Sequence, residues 1–189
     1  MSKVWFTSDT HFGSQRTLEL SKRPFKTVEE MDSTIISNWN SLVGEDDIVY
    51  HLGDFGDLDK VKELKGRIVL ITGNYDREFS RDFILSKGIF DVLNCNTVSR
   101  WIKNENKDYE YDSYCLHMAH EPSKVNRVFA LNSFNLFGHI HKTQMIKKFG
   151  LNVGMDCHNF KPIDLDTVLF YKKAIKNFYD DEVFLNKTE

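Results

Sequence analysis

The 189-residue sequence has no feature that would place it in a membrane, fibrous or repeat class. No apolar run approaches the roughly 18 residues that a membrane-spanning helix needs. Internal repeats, low-complexity tracts and linkers rich in Ser, Gly or Pro are also lacking, so nothing indicates a domain boundary. The first residues lead directly into a strand pattern, so we expect no signal peptide. We therefore expect one cytoplasmic domain over residues 1–189 that does not associate with membranes.

Cysteine is scarce and the net charge is small. Cys95, Cys115 and Cys157 are far apart and form no CxxC pair, which excludes a disulfide framework and a thiolate zinc motif. The formal net charge is −3, which gives no electrostatic footprint for a polyanion. Nucleic acid is therefore a disfavoured, though not excluded, partner. A local basic patch could still bind a small anionic substrate.

The sequence does contain short apolar runs that alternate with helix-like segments. Hydrophobic residues make up 41% of the chain, enough for a core without disulfides. Thr27 is a plausible N-cap for a helix with Glu30 three residues on. We predict strands at 4–8, 48–52, 68–72, 90–102, 109–118 and 135–137, a hairpin of 145–148 with 151–154, and helices at 28–43, 58–64, 81–87 and 164–179.

Polar side chains that bind metals follow three of the predicted strands. Asp9 and His11 have an i, i+2 spacing, which points both side chains to the same face. Asp54 and Asn74 each follow a glycine at a strand end and offer a carboxylate and an amide oxygen. Taken alone, an ordinary turn is the favoured explanation of the Asp54 and Asn74 motifs, and a short Asp-x-His string occurs by chance in many proteins. In layered α/β folds, however, ligands bind at the carboxyl ends of strands, where remote segments meet.

The histidines provide a more specific signal. His139 and His141 follow a glycine at the end of an apolar run, with a spacing that is unusual for a structural loop. His120 lies where a strand ends before Pro122, which makes it a better ligand than His117. Nitrogen and oxygen donors without a thiolate suit two ions of the manganese, iron or zinc kind. The predicted metal ligands are Asp9, His11, Asp54, Asn74, His120, His139 and His141.

In this order, the motifs resemble those of the calcineurin-like metallophosphoesterase superfamily. The match runs from Asp9 to His141 and consists of five separate motifs. The segments Arg23-Pro24-Phe25, 50–55 and 152–162 further resemble a group of small bacterial and phage phosphoesterases. The resemblance implies a four-layer α-β-β-α sandwich, in which helices flank two mixed sheets.

The resemblance also implies a division of the ligands and a reaction. One ion would bind Asp9, His11, Asp54 and His141, and the other would bind Asp54, Asn74, His120 and His139. A hydroxide shared by two cations about 4 Å apart would attack phosphorus in line with the leaving group. The implied substrate is a small phosphate ester, and diesters are favoured over monoesters. Manganese is the favoured metal, with iron, zinc, nickel and magnesium as alternatives.

One position departs from the family pattern. The family usually has a histidine between Asn74 and Asp76, where it protonates the leaving oxygen, but this chain has Tyr75. A phenol is a poor proton source at neutral pH, although it can donate a hydrogen bond. Asn74, Tyr75 and Asp76 are the candidate catalytic residues, and the role of Asp76, which would orient the missing histidine, stays open. Alternative proton donors are His51, His117 and His158.

Other interpretations stay open at this point. Arg16, Arg23 and Lys161 lie near the motifs and could contact phosphate, although ordinary surface charge explains them more simply. A phosphomonoesterase or a nuclease could use the same site. A catalytically weak metal-binding protein or scaffold on the same fold is the rival from a different class.

Overall fold

Two five-stranded mixed sheets form the centre of the computed structural model, which describes residues 2–125 and 130–179. The strands are β1 (Val4–Thr7), β2 (Ile48–His51), β3 (Arg67–Ile71), β4 (Asp91–Leu93), β5 (Val98–Lys103), β6 (Ser113–Ala119), β7 (Ser133–Phe137), β8 (Ile146–Lys147), β9 (Gly150–Asn152) and β10 (Ile163–Asp164). The helices are α1 (Gln15–Leu20), α2 (Val28–Asn40), α3 (Arg81–Ser86) and α4 (Leu165–Phe178). Short 3₁₀ segments cover Leu58–Glu63, Asp76–Glu78, His141–Thr143 and Met155–Cys157.

Each sheet has a parallel centre and antiparallel edge strands. The first sheet has the order β10-β1-β2-β3-β4, in which β10 is antiparallel to β1 and the other neighbours are parallel. The second sheet has the order β5-β6-β7-β9-β8, in which β5 and β8 are antiparallel to their neighbours. The predicted fold class, an α/β sandwich of two mixed sheets with flanking helices, is confirmed.

Alternating side chains of the first sheet contribute to two separate hydrophobic clusters. Trp5 faces outward, where it packs with α1, α2 and α3, and Phe6 faces the second sheet. Within α2, Met31, Ile35 and Trp39 recur at every fourth residue and are fully buried against the outer cluster. Helix α4 contributes to the cluster between the sheets. The strands of the first sheet are therefore apolar on both faces, as expected for a covered parallel sheet.

Most predicted elements are found within a few residues of their predicted bounds. The Thr27 hydroxyl accepts a hydrogen bond from Glu30 N–H at 3.2 Å, which confirms the N-cap of α2. The hairpin of β8 with β9 is also confirmed.

The prediction of one strand over 90–102 is wrong, because β4 joins the first sheet and β5 joins the second. The chain crosses between the sheets at 94–97. Helix α1 and strand β10, which are too short to show a clear periodicity, were not predicted.

In the part of the chain that the structure describes, no helix has the length and apolar character that crossing a bilayer requires. The cytoplasmic location and the single domain over residues 1–189 stay predictions.

Candidate metal centre

Five strand ends from both sheets meet at one edge of the sandwich. Backbone hydrogen bonds tie the segments together: Asp9 N–H donates to the Gly53 carbonyl at 2.9 Å, and His11 N–H donates to the Asp54 carbonyl at 3.1 Å. In the second sheet, Gly138 N–H donates to the His120 carbonyl at 2.9 Å. The segments that follow β1, β2, β3, β6 and β7 therefore place all seven predicted ligands in the same region.

The predicted ligands also share an unusual backbone conformation. Eight non-glycine residues among those described have a positive φ, and five of them are predicted ligands. Such a conformation costs on the order of 1–3 kcal/mol per residue and persists only where the surrounding structure enforces it. Backbone strain is thus concentrated at the strand ends, as is typical of functional sites. The five residues are Asp9 (φ 59°), His11 (49°), Asp54 (56°), His139 (71°) and His141 (46°).

Asp9, His11 and His141 form a first group of potential metal ligands. One donor atom from each residue lies within 4.8 Å of the others, and the imidazole rings of His11 and His141 stack with centroids 5.2 Å apart. The His11 Nε2 atom is buried and has no hydrogen-bond partner among the described residues. Burial lowers the pKa of His11 to about 4, so the ring is neutral at neutral pH and can present a lone pair at Nε2. A metal ion would satisfy the buried lone pair, whose isolation would otherwise cost free energy.

Asp54, His120 and His139 form a second group, which Asn74 joins. The Asn74 Oδ1 atom lies 3.0 Å from His120 Nε2 and 3.1 Å from His139 Nδ1, and these two nitrogens are 3.2 Å apart. Donor atoms separated by about 3 Å are expected around one ion with bonds near 2.1 Å. The Nδ1–H of His120 donates to the Leu52 carbonyl at 2.8 Å, so in neutral His120 the Nε2 atom presents a lone pair.

The electrostatics of the second group favour a cation. Burial opposes a charge on His120, but Asp54 and Asp9 outweigh burial and raise the pKa of His120 to about 9. Burial also opposes the charge on Asp54, yet His120 and the Tyr75 N–H lower the pKa of Asp54. The two carboxylates therefore stabilise positive charge at the His120 ring, and a metal ion that replaced the Nε2 proton would be stabilised in the same way.

Asp54 lies between the two groups. Its Oδ2 atom is 3.6 Å from His11 Nε2 and 3.3 Å from His120 Nε2. Its Oδ1 atom accepts a hydrogen bond from Tyr75 N–H at 3.0 Å. A Cβ atom at Gly73 would overlap this same oxygen, so only glycine allows the two loops to approach so closely.

Asp76 binds backbone N–H groups, whereas its expected role in the family pattern is to orient a catalytic histidine. Its Oδ2 atom accepts hydrogen bonds from the N–H groups of Asp54 at 2.7 Å and Gly73 at 2.8 Å, and its Oδ1 atom accepts from Phe55 at 3.0 Å. Burial raises the pKa of the Asp76 carboxyl, although the N–H donors favour its charged form. Asp76 thus joins the Asp54 loop to the Asn74 loop and positions both.

The alternative proton donors have other partners. His51 is fully buried, its Nδ1 atom accepts from Gly53 N–H at 3.2 Å, and its Nε2 atom lies 3.0 Å from the Thr10 hydroxyl. Burial lowers the pKa of His51 to about 3. The His117 Nδ1 atom is 2.7 Å from the Ser99 hydroxyl, and the His158 Nε2 atom is 2.7 Å from the Asn152 carbonyl.

Tyr75, by contrast, lies at the site: it is 44% exposed, and its ring meets the His11 ring edge-on at 5.4 Å.

A buried ion pair supports the first group. The Arg23 guanidinium binds both carboxylate oxygens of Asp156, at 3.0 and 2.8 Å, and also donates to the backbone carbonyls of Asp9 and Thr10. The Nδ1–H of His141 donates to Asp156 Oδ2 at 2.9 Å, which directs its Nε2 atom away from this carboxylate. These contacts show that Arg23 is not free to bind phosphate.

Arg16 and Lys161, the other basic residues considered from the sequence, line two different cavities. Arg16 lines a cavity next to the metal centre, together with Tyr75 and His139. Lys161 lines a different cavity, beside Trp5. Of the three basic residues considered from the sequence, only Arg16 is placed to meet a substrate.

Comparison with known proteins agrees with this geometry. The family model of the calcineurin-like phosphoesterase superfamily domain matches residues 3–159. The chain belongs to this superfamily. Members are metal-dependent phosphoester hydrolases, and the two groups of potential ligands described above agree with that activity.

Relatives of this calcineurin-like phosphoesterase come from diverse sources. An uncharacterized protein of Methanocaldococcus jannaschii is 32% identical over 179 residues, which cover 89% of this chain and 90% of the relative. The gene 66 protein of Mycobacterium phage L5 is 40% identical over 85 residues, which cover 40% of this chain and 41% of the phage protein. The crystal structure of a protein of unknown function from Aquifex aeolicus shares the fold, with a TM-score of 0.64 at 20% identity over 90% of this chain and 100% of that chain.

Asp156 is the residue of this phosphoesterase site that sequence reasoning missed. It lies in the segment 152–162 and pairs with Arg23 of the Arg-Pro-Phe segment, and both segments carry part of the family resemblance. The only sequence signal was the presence of both segments in the same chain. Pattern reasoning did not show that they meet, because 133 positions separate the two residues.

Proposed function

We propose that the chain holds two divalent ions and hydrolyses small phosphate esters, diesters in preference to monoesters. The position of Asp54 is the observation that supports this proposal most directly. One of its carboxylate oxygens lies 3.6 Å from His11 Nε2 and 3.3 Å from His120 Nε2, so it faces the nitrogen donors of both groups. A carboxylate in such a position is suited to bridge two ions.

In this proposal the two groups share Asp54. The first ion would be held by Asp9, His11, Asp54 and His141, and the second by Asp54, Asn74, His120 and His139. We favour manganese, with iron, zinc, nickel and magnesium as alternatives, because the donors are nitrogen and oxygen without a thiolate. When bound, two divalent ions acidify a shared water and neutralise the charge that develops on the phosphoryl oxygens.

The residues of the chain position the donors and contact the substrate. Asp76 and Asp156 fix the Asp54 loop and the His141 ring through the hydrogen bonds described above. Tyr75 presents a partly exposed phenol beside His11, where it can donate a hydrogen bond to an ester oxygen. Because a phenol protonates a leaving oxygen poorly, we expect the enzyme to prefer esters whose leaving group is already stable as an anion.

Metal content and a substrate panel test the proposed function. We expect about two manganese ions per chain and turnover of bis-nitrophenyl phosphate faster than of nitrophenyl phosphate. Cyclic nucleotides extend the comparison to diesters with alkyl leaving groups. Faster turnover of the monoester would contradict the diester preference. A purified protein that binds no divalent ion and hydrolyses none of these esters would contradict the enzymatic proposal and favour a scaffold.

Replacement of Tyr75 by histidine should change the substrate profile. An imidazole at this position can protonate the leaving oxygen, a contribution of on the order of 10²–10⁴-fold when the leaving group needs a proton. We therefore expect Tyr75→His to accelerate alkyl-ester hydrolysis more than nitrophenyl-ester hydrolysis, measured as kcat/KM for both. Tyr75→Phe is the matched control, because it keeps a ring beside His11 and removes the hydroxyl. Equal effects of Tyr75→His on both classes of ester would contradict this assignment.

A further inference from the structure

A cavity of about 530 Å³ opens directly beside the metal centre. His11, His139, His141 and Tyr75 form its inner wall. The outer wall consists of the end of α1 and the segment 142–147. Four basic side chains of this outer wall define what we call the basic cleft: Arg16, Lys22, Lys142 and Lys147.

The charge of the basic cleft contrasts with that of the chain. The formal net charge is −3, yet no aspartate or glutamate lines this cavity. Lys142 Nζ donates to the Lys22 carbonyl at 3.2 Å, and Lys147 Nζ donates to the Gln144 amide oxygen at 2.6 Å. Both partners are neutral, and in residues 2–125 and 130–179 no ion pair involves any of the four basic residues. Their positive charge is therefore available to a ligand.

Lys22, which lines the basic cleft, has a strained backbone conformation. Arg23 N–H donates to the Leu18 carbonyl and Lys22 N–H to the Glu19 carbonyl, both at 3.1 Å, which is the Schellman pattern at the end of α1. The residue at the left-handed position of this motif is normally glycine, but here it is Lys22 with φ 47°. A lysine at this position is strained relative to glycine, and it adds a positive charge to the lining of the cleft.

We propose that the basic cleft binds a second phosphate of the substrate, so that the preferred substrates are small esters with another phosphate beyond the scissile bond. This inference rests on the proposed function, because the scissile phosphate must lie at the metal centre. A cavity of about 530 Å³ suits a molecule the size of a nucleotide. Charge-assisted hydrogen bonds from several lysines and an arginine are the usual means of binding a phosphate dianion.

Matched nucleotides, measured as competitive inhibitors of bis-nitrophenyl phosphate hydrolysis, test the inference on the manganese-loaded protein. Adenosine 3′,5′-bisphosphate carries the second phosphate, and adenosine 3′-monophosphate and adenosine 5′-monophosphate each lack one of the two. We expect the inhibition constant Ki to be at least 10-fold lower for the bisphosphate than for either monophosphate. Equal Ki values for the three nucleotides would overturn the inference.

Lys22→Gly is the most informative variant, because it removes one charge and also relieves the left-handed strain. We expect it to raise Ki for the bisphosphate about 10-fold, and by at least fivefold more than for the monophosphates. The melting temperature should stay the same or rise. Lys65→Met, which replaces an exposed lysine outside the cavity, is the matched control and should leave all Ki values within twofold. An equal effect of Lys22→Gly and Lys65→Met would contradict a local subsite.

Calorimetric binding of adenosine 3′,5′-bisphosphate to the metal-free protein separates this inference from the proposed function. If no ester is hydrolysed, a 10-fold rise in Kd from wild type to Lys22→Gly still supports a phosphate subsite. Equal affinity of the two proteins contradicts it. A competition experiment tests whether the cleft binds nucleic acid instead. A single-stranded DNA of 12 nucleotides is added so that the concentration of its phosphate groups equals that of the bisphosphate. If the DNA displaces the bisphosphate, the cleft binds nucleic acid, and the proposal of a small-molecule substrate is overturned.

Discussion

Asp54→Asn should lower kcat/KM by on the order of 10³-fold or more, because bridging two ions is worth several kcal/mol of transition-state stabilisation. The asparagine retains the shape of Asp54, but it places an uncharged group between His11 and His120. Without the negative charge, the residue that both ions would share becomes a weaker ligand, and the repulsion between the ions would be compensated less. Bound metal, measured by mass spectrometry on the purified protein, should fall below two ions per chain.

Asp57→Asn is the matched control for this prediction. Asp57 lies on the same loop and is exposed, and its carboxylate accepts a hydrogen bond from Asp59 N–H at 3.0 Å that an amide oxygen can also accept. We expect wild-type activity and metal content from this variant. Chelation of the wild-type protein should abolish hydrolysis, and added manganese should restore it to the wild type but not to Asp54→Asn. Full turnover after rigorous metal removal would refute the two-ion proposal.

Arg23→Ala should destabilise the protein by about 3–5 kcal/mol, because it leaves the buried Asp156 without its partner. Both side chains of the pair are almost completely inaccessible to solvent, so water cannot replace the lost contacts. The guanidinium also donates to the carbonyls of Asp9 and Thr10, which would lose a donor. For a chain of this length, we expect the melting temperature to fall by about 6–20 °C.

The same substitution should weaken metal binding. Asp156 orients His141 through a hydrogen bond of 2.9 Å, and loss of such a supporting contact typically costs 10–100-fold in metal affinity. Arg67→Met is the matched control, because Arg67 and Asp46 are 3.9 Å apart at the surface, with the Arg67 side chain 49% and the Asp46 side chain 93% exposed. An exposed pair of this kind contributes less than about 1 kcal/mol. An Arg23→Ala variant as stable as Arg67→Met would contradict the structural role of the buried pair.

The comparison of Asp54 with Asp156 shows which parts of the site a sequence can reveal. Asp54 follows a glycine at the end of an apolar strand, so its position is evident from neighbouring residues. Asp156 has no such local signal, and its importance depends on Arg23, which lies 133 positions away. Asp76 shows a related limit: its motif indicated a place near the metal centre, but only the structure shows that it binds three backbone N–H groups.

The secondary-structure elements likewise differ in how far the local sequence predicts them. The strand before Asp9 and the helix after Thr27 carry clear periodic patterns and caps, and both are found where they were predicted. β-branched and aromatic residues recur on both sides of the passage from one sheet to the other within 90–102, and this composition does not specify which sheet a strand joins.

The sequence by itself determined the candidate donors and, through the order of their motifs, the resemblance to the family and the sandwich fold that this resemblance implies. Strand ends, glycines and histidine spacing are local features that do not depend on remote contacts. Tertiary structure alone decided that Asp76 binds three backbone N–H groups, that Arg23 is occupied by Asp156, and that Lys22 lines a basic cleft. Each of these facts depends on distances between segments far apart in the chain. Such distances are set by how the two sheets and their helices pack, and no local pattern encodes them.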